Sequence, residues 1–274
     1  MKVKMKYLIT LGCSWTWGAG SGYSNGMQLD DYKNIVFNKE LADKYSFRSL
    51  LSERYGYKNI NFSIHKSSNE RQFRHARNFF SSSSFKEIKN NAEDIIVLWG
   101  ITSTSRTEVF STEQNEYIDV LLNNVKTPSR AEENVSKFFT GNIYDHQHKI
   151  FELAHSMTHW NDYFSMSGVK NYWFDSFNHH DYKVNSPGSG EDYINNTNIE
   201  NFVIQHDYAR DLMSQLILTN GDDKFDLKYH SSTWLADTDR TALLIEKGLV
   251  NPFSFHPTKI GNEKIANMMQ HLFE

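Results

Sequence analysis

The 274-residue chain has one cysteine, Cys13, and four prolines. A single thiol excludes an internal disulfide framework, and without a Cys-x-x-Cys pair nothing suggests a structural zinc site. Long apolar runs are missing too, since no window approaches the ~18 residues of a membrane span. The apolar stretch that follows Lys2, Lys4 and Lys6 is about five residues, short of the ~7–15 that a secretion signal needs. No membrane partner is expected, and the cytoplasm, or a host cell's interior or a virion, is the expected location. The chain also lacks an excess of one charge: 29 Lys and Arg against 33 Asp and Glu leave a net charge of -4. The basic residues are scattered, so no footprint for nucleic acid is present. Little Ala and Pro beside much Asn, Lys and aromatic is what an AT-rich genome encodes, a viral one included.

What is present suffices for a packed core. Hydrophobic residues make up 39% of the chain and aromatics 14%, which sets it apart from disordered sequences. No linker or internal repeat interrupts it, and residues 1–274 read as one domain. Tyr7 to Leu11 is a short apolar run that stops at Gly12, with the hydroxyl of Ser14 two residues on. This pattern reads as a buried strand delivering Ser14 to the edge of a sheet. Gly18 to Lys39 is rich in Gly, Ser, Asn and Asp and reads as a flexible loop, with Gly18, Gly20 and Gly22 as a hinge. Leu41, Tyr45, Leu50 and Leu51 recur at near-helical spacing up to Arg54, with Gly56 as C-cap.

Asn59 to Ile64 alternates like a strand, His65 to Arg71 forms a loop, and a helix runs through Phe80. Asp94 to Gly100 is the clearest strand, an apolar and β-branched run suited to burial on both faces. A polar loop, Ile101 to Arg106, follows it. Residues 107–142 and 178–201 are polar and weakly patterned and read as insertions. Between them lie a long helix, Ile143 to Met166, and a strand, Val169 to Phe177. Helical stretches near Phe202 to Leu218 and Ser232 to Lys247 precede a last helix, Ile260 to Phe273. Alternating strands and helices define an α/β fold, a three-layer α/β/α sandwich around a parallel sheet of about five strands. Polar loops at the strand ends then converge on one edge, with Ser14, Lys66 to Asn69, Thr102 and Ser103, and the late His256.

Two motifs among these residues resemble the SGNH (GDSL-like) hydrolases, a superfamily with a flavodoxin-like sheet. Gly12-Cys-Ser-Trp-Thr-Trp-Gly18 is similar to the family's first block, G-D-S-x-x-x-G, with Cys13 in place of Asp. His256-Pro-Thr-Lys-Ile-Gly-Asn-Glu-Lys-Ile-Ala266 is similar to the last block, H-P-x-x-x-G-x-x-x-I-A. The resemblance implies Ser14 as nucleophile and His256 as base. It places Lys66 where a glycine normally offers an oxyanion N–H and Thr102 where an Asn is usual. The orienting acid is missing, because Phe253 and Ser254 stand where Asp is expected before the His. A backbone carbonyl or Ser254 remains to orient the imidazole, and Asp237 and Asp239 are upstream carboxylates.

The function so implied is serine ester hydrolysis of an acyl ester or a carbohydrate O-acetyl ester, with a small-molecule or glycan ester as substrate and no cofactor or metal. The alternatives are a catalytically impaired protein of the same fold that binds a glycan or serves in assembly, and an acetyltransferase on the same Ser and His. Trp15, Asn69, Arg71 and Arg106 are candidate substrate contacts. Trp15, Trp17 and Trp99 read first as core packing and second as an aromatic wall. Cys13, one residue before the exposed position, reads as buried rather than reactive. His155 and His159 have the spacing of a metal pair, but no Glu completes an H-E-x-x-H, so they and His148, like His179 and His180, read as ordinary histidines.

Overall fold

The computed structural model describes residues 5–90, 92–121, 145–176, 201–203, 211–219 and 238–274. The strands among them are β1 (Lys6–Leu11), β2 (Tyr57–Asn61), β3 (Ile95–Ile101), β4 (Arg106–Ser111), β5 (Glu116–Leu121) and β6 (Lys170–Asp175). Four of these form a parallel sheet in the order β2-β1-β3-β6. Beyond β6, Phe202 bridges Trp173 and Asp211 bridges Asp175, both parallel. Among the described residues the sheet expected to have about five strands has four, with bridging residues in the fifth position.

The helices are α1 (Ser14–Trp17), α2 (Leu29–Ile35), α3 (Lys39–Tyr45), α4 (Phe47–Tyr55), α5 (Asn69–Phe80), α6 (Ser83–Lys89), α7 (His146–Ser167), α8 (Leu212–Leu218), α9 (Thr238–Glu246) and α10 (Lys259–Met268). Side chains alternate across a strand, and here the alternation sorts them into two cores. Leu8, Ile96, Leu98 and Phe174 pack with Phe47 and Leu51 of α4, Leu216 of α8, Leu244 of α9 and Ile265 of α10. Ile9, Leu11, Val97, Trp99 and Trp173 pack on the other face with Ala76 and Phe80 of α5, Phe85 of α6 and Met157 and Phe164 of α7. All seven residues of β3 are buried. This is a three-layer α/β/α arrangement.

Three expectations change. The segment 18–39 contains α2, whose Tyr32 is buried; isolated apolar residues in a polar stretch do not reveal a helix that docks by one side chain. The helix expected across Leu41 to Arg54 is two helices, parted at Ser46, whose backbone is extended. The break is tertiary in origin, because the Phe47 N–H that opens α4 donates to Asn262 Oδ1 of α10 at 2.9 Å. The described part of the 107–142 insertion is an antiparallel hairpin of β4 and β5. Arg74 of α5 grips Glu108 through two hydrogen bonds of 2.9 and 2.8 Å, and Arg71 pairs with Asp119, so charge rather than apolar pattern holds the hairpin down. The rest of that insertion, residues 178–200 of the second and Phe177 lie outside the described residues. Phe202 is a bridge residue and Val203 a bend rather than helix, and no helix among the described residues is long and apolar enough to cross a membrane.

The seam between β1 and β3 is tight. A Cβ on Gly12 would lie 2.0 Å from Thr16 Oγ1, and one on Gly100 would lie 2.2 Å from the same atom and 2.7 Å from the Phe174 ring. Overpacking such a contact costs about 1–3 kcal/mol. Gly100→Ala is therefore expected to lower unfolding stability by about that amount in urea denaturation; an unchanged midpoint would contradict the close packing of Thr16.

Candidate active site

In a doubly wound sheet the strand order reverses at one point, and the crevice beyond the strand ends there is where ligands bind. Here that point lies between β1 and β3. Gly12 lets the chain leave β1 against Thr16, and α1 begins at once, with Ser14 as its first residue. The helix lasts one turn and closes on Gly18, whose φ of 96° is left-handed. Ser14 is 5% exposed, and Cys13 is fully buried in the core, away from the crevice.

His256 comes from the loop between α9 and α10, and Asn251 shapes that loop. The Asn251 amide donates to the His256 carbonyl at 2.8 Å, while its Oδ1 accepts from the N–H groups of Phe253 and Ser254 at 3.2 and 2.9 Å. Phe255 takes a left-handed φ of 58° to complete the turn. Thr258 caps α10 by accepting from the Gly261 N–H at 3.2 Å. A Cβ on Gly261 would sit 2.1 Å from the Leu249 carbonyl oxygen, which is the physical need behind a glycine at that place in the late block. Gly20 is not a hinge: a side chain there would meet His256 Cβ at 2.9 Å and Asn251 Nδ2 at 2.8 Å, so the glycine segment makes room for the histidine loop.

The two segments meet. His256 Nε2 and Ser14 Oγ lie 2.7 Å apart, across 242 residues of sequence. His256 Nδ1 lies 2.7 Å from Ser254 Oγ, which in turn bonds the Tyr32 hydroxyl and Asn251 Oδ1, the latter at 3.2 Å. For Nε2 to accept from Ser14, Nδ1 must carry the proton and donate to Ser254. A hydroxyl accepts two hydrogen bonds and donates one. Ser254 then accepts from His256 and Tyr32 and donates to Asn251. Among the described residues no carboxylate contacts His256; Asp237 and the Asp239 side chain lie outside them.

A cavity of about 160 Å³ opens beside Ser14, lined by Ser14, Trp15, Phe37, His65, Lys66, Arg106 and His256. Burial pushes the His256 imidazole down to about 3, and the Arg106 guanidinium adds to the effect. His65 is likewise held below the ordinary imidazole value by burial, then by Lys66 and Arg71. Burial raises the Tyr32 phenol, against its bonds to Ser254 and Asn251.

Of the residues expected at the site, Ser14, His256, Lys66, Trp15 and Arg106 line the cavity. Lys66 has a left-handed φ of 62°, a backbone suited to the glycine it replaces in the motif. Three others are placed elsewhere. Thr102 is fully buried and does not line the cavity. Asn69 spends its amide on the Thr102 backbone, donating to the carbonyl and accepting from the N–H, each at 3.0 Å, and so braces two loops. Arg71 is in the ion pair with Asp119. Sequence reading missed Tyr32, Asn251, Phe37 and His65, which carry no motif. Trp99 is core, stacked on Trp173. His148, His155 and His159 are exposed on α7, and among the described residues no group of three or more His, Cys, Asp or Glu is placed to hold a metal ion.

No protein-family model and no curated protein sequence matches the chain. Among solved structures it is similar to an acetyl xylan esterase (Est2A) from the rumen bacterium Butyrivibrio proteoclasticus, at 8% identity and a TM-score of 0.43. The alignment covers 99% of this chain and 64% of that one. The chain thus spans a little under two thirds of that protein's length.

Because the His256 pKa is depressed on folding, the unfolded chain binds more protons below the free imidazole value near 6.5. The stability that a neutral His256 contributes is complete above that value and is lost as pH falls toward about 3. Urea unfolding between pH 7.5 and 4.5 is expected to show this loss, at up to about 1.4 kcal/mol per pH unit, and His256→Gln to flatten it. An identical pH dependence in the variant would show that His256 is not held neutral.

Proposed function

We propose that the protein is a serine ester hydrolase in which Ser14 is the nucleophile and His256 the base. The observation that carries this reading is the 2.7 Å hydrogen bond between Ser14 Oγ and His256 Nε2 at the reversal point of the sheet. The arrangement of nucleophile, base and orienting group is the one activated serines need. The SGNH-like motifs at the two ends of the chain point to the same pair.

In this mechanism His256 Nε2 takes the Ser14 proton as Oγ bonds to the ester carbonyl carbon, and the carbonyl oxygen becomes an oxyanion. The N–H groups of Ser14 and Lys66 supply its stabilisation. Collapse breaks the carbonyl–alkoxy bond, and His256 passes its proton to the leaving alcohol oxygen. Water then attacks the acyl-serine, gives a proton to His256, and releases the acid as Ser14 regains its proton. Ser254 and Tyr32 are positioning residues that hold the imidazole with Nδ1 protonated. A hydroxyl stabilises the imidazolium less than a carboxylate does, because it bears no charge. That difference favours a second reading, a slowed or inactive member of the same fold that only binds its ligand. A transferase differs only in whether water or a second alcohol accepts the acyl group.

A fluorophosphonate probe is expected to label Ser14, and Ser14→Ala and His256→Ala to reduce 4-nitrophenyl acetate turnover by about 10⁴ to 10⁶. Absence of labelling together with turnover indifferent to both substitutions would establish the binding-protein reading. Product analysis with added glycerol separates hydrolysis from transfer. Ser254→Asp places a carboxylate beside Nδ1, which favours the charged imidazole. The acid limb of kcat/KM is then expected to move to higher pH, and an unmoved limb would argue that Ser254 does not act through His256. Tyr32→Phe is expected to lower kcat while leaving KM nearly unchanged, as loss of orientation does.

A further inference from the structure

We infer that the stacked rings of Phe37 and His65 set the size of the ester that Ser14 accepts, restricting the substituent enclosed on one side of the scissile carbonyl to a few carbons. The inference rests on the hydrolase reading and names, for the same site, a substrate class of short-chain esters and the residues that select it. Three observations lead to it. First, a whole small-molecule ligand ordinarily fills about 300–1,000 Å³, and the cavity beside Ser14 holds about 160 Å³. At about 30 Å³ per water in the liquid this is the space of about five waters, enough for an ester group and about three further carbons. The rest of a larger substrate lies outside.

Second, one stretch of the lining is joined from two separate segments. Phe37 and His65 both line the cavity, and their rings stack with centroids 4.4 Å apart at 31°. Phe37 stands in the short turn between α2 and α3, edge-on to Trp17 at 6.2 Å. The turn is anchored on both sides of Phe37: the Gly20 N–H donates to the Val36 carbonyl at 3.2 Å, and the Asn38 side chain accepts from the Leu41 N–H at 3.1 Å. His65 immediately precedes Lys66, which is fixed in its left-handed backbone. The α2 segment thus serves the site twice, through Tyr32 behind Ser254 and through Phe37 at the cavity.

Third, this part of the wall suits hydrocarbon. Burial holds the His65 imidazole below its ordinary value, with Lys66 and Arg71 adding to the effect, so the ring is uncharged at neutral pH. With Phe37 and Trp15 it presents aromatic rings to the space beside Ser14. Apolar surface gains by leaving water against such rings, so an alkyl chain is the fitting occupant, up to the length at which the two rings stop it. Phe37 is itself 47% exposed, so shortening it enlarges the site without opening a core.

The enclosed chain has two possible sources, the acyl side or the alcohol side of the ester. The test uses 4-nitrophenyl acetate, butyrate and hexanoate as one series and ethyl, butyl and hexyl acetate as the other, each rate corrected for the rate with Ser14→Ala. Along at least one series kcat/KM is expected to fall about tenfold or more from the shortest member to the longest, and the series that falls identifies the enclosed side. Phe37→Ala is expected to raise the longest-to-shortest ratio in that series about tenfold or more, at about fourfold for each CH₂ newly taken out of water. His65→Ala is expected to raise it in part, and Phe37→Leu, which keeps more of the side chain, to give an intermediate ratio. Flat profiles in both series, or a fall that Phe37→Ala, Phe37→Leu and His65→Ala all leave unchanged, overturn the inference and leave the hydrolase standing. Absence of Ser14-dependent turnover defeats the hydrolase reading instead. Titration of Ser14→Ala with methyl butyrate and methyl hexanoate, followed by tryptophan fluorescence, then still decides the wall. Binding strengthened by the longer chain only after a further Phe37→Ala supports it; the same preference with and without that change, or no binding, overturns it.

Discussion

Thr16 is wedged so closely against Gly12 and Gly100 that neither position has space for a methyl group. That contact ties the first turn after β1 to the end of β3, and the geometry of the candidate site follows from it. With β1 and β3 paired in parallel from Tyr7↔Ile95 to Leu11↔Trp99, the one-turn helix has a single place to start. Ser14 is thereby presented at the reversal point of the sheet while Cys13 beside it faces the core. The same seam brings Thr102 within reach of Asn69, whose amide locks the loops after β2 and β3 together.

The histidine loop is built to meet that fixed point. Asn251 gathers its backbone, Thr258 and Gly261 start α10, and Gly20 leaves room for His256. Two buried asparagines thus act as organisers: Asn251 within the loop, and Asn262, which opens α4 from α10. In a low-dielectric interior such satisfied polar links specify one arrangement more sharply than apolar contacts, since any alternative leaves donors unpaired. The result is an imidazole held by hydroxyls, with no carboxylate against it among the described residues, beside a cavity that Arg106 and Lys66 help to line.

The hairpin and α2 show where linear pattern loses its hold. β4 and β5 rest on α5 through Arg74 with Glu108 and Arg71 with Asp119, so their attachment is written in charges spaced far apart in sequence. α2 lies in a Gly- and Asn-rich stretch and docks by Tyr32, against Tyr23, Phe253 and Ser254. Neither element repeats an apolar residue at a period that a window detects.

By itself the sequence determined the parallel α/β sheet, because apolar runs ending in Gly or polar residues report burial locally. It also determined which motifs stand at the two ends of the chain. Ser14 and Ser254 were already candidates for His256 in the sequence; the groups that stand behind Ser254 were decided by tertiary structure alone. Tyr32 reaches Ser254 across 222 residues, and Phe37 and His65 line the cavity with no motif to mark them. Side chains with no common spacing are brought within hydrogen-bond reach only when strand order and loop shape are both set, so no local pattern records the contact.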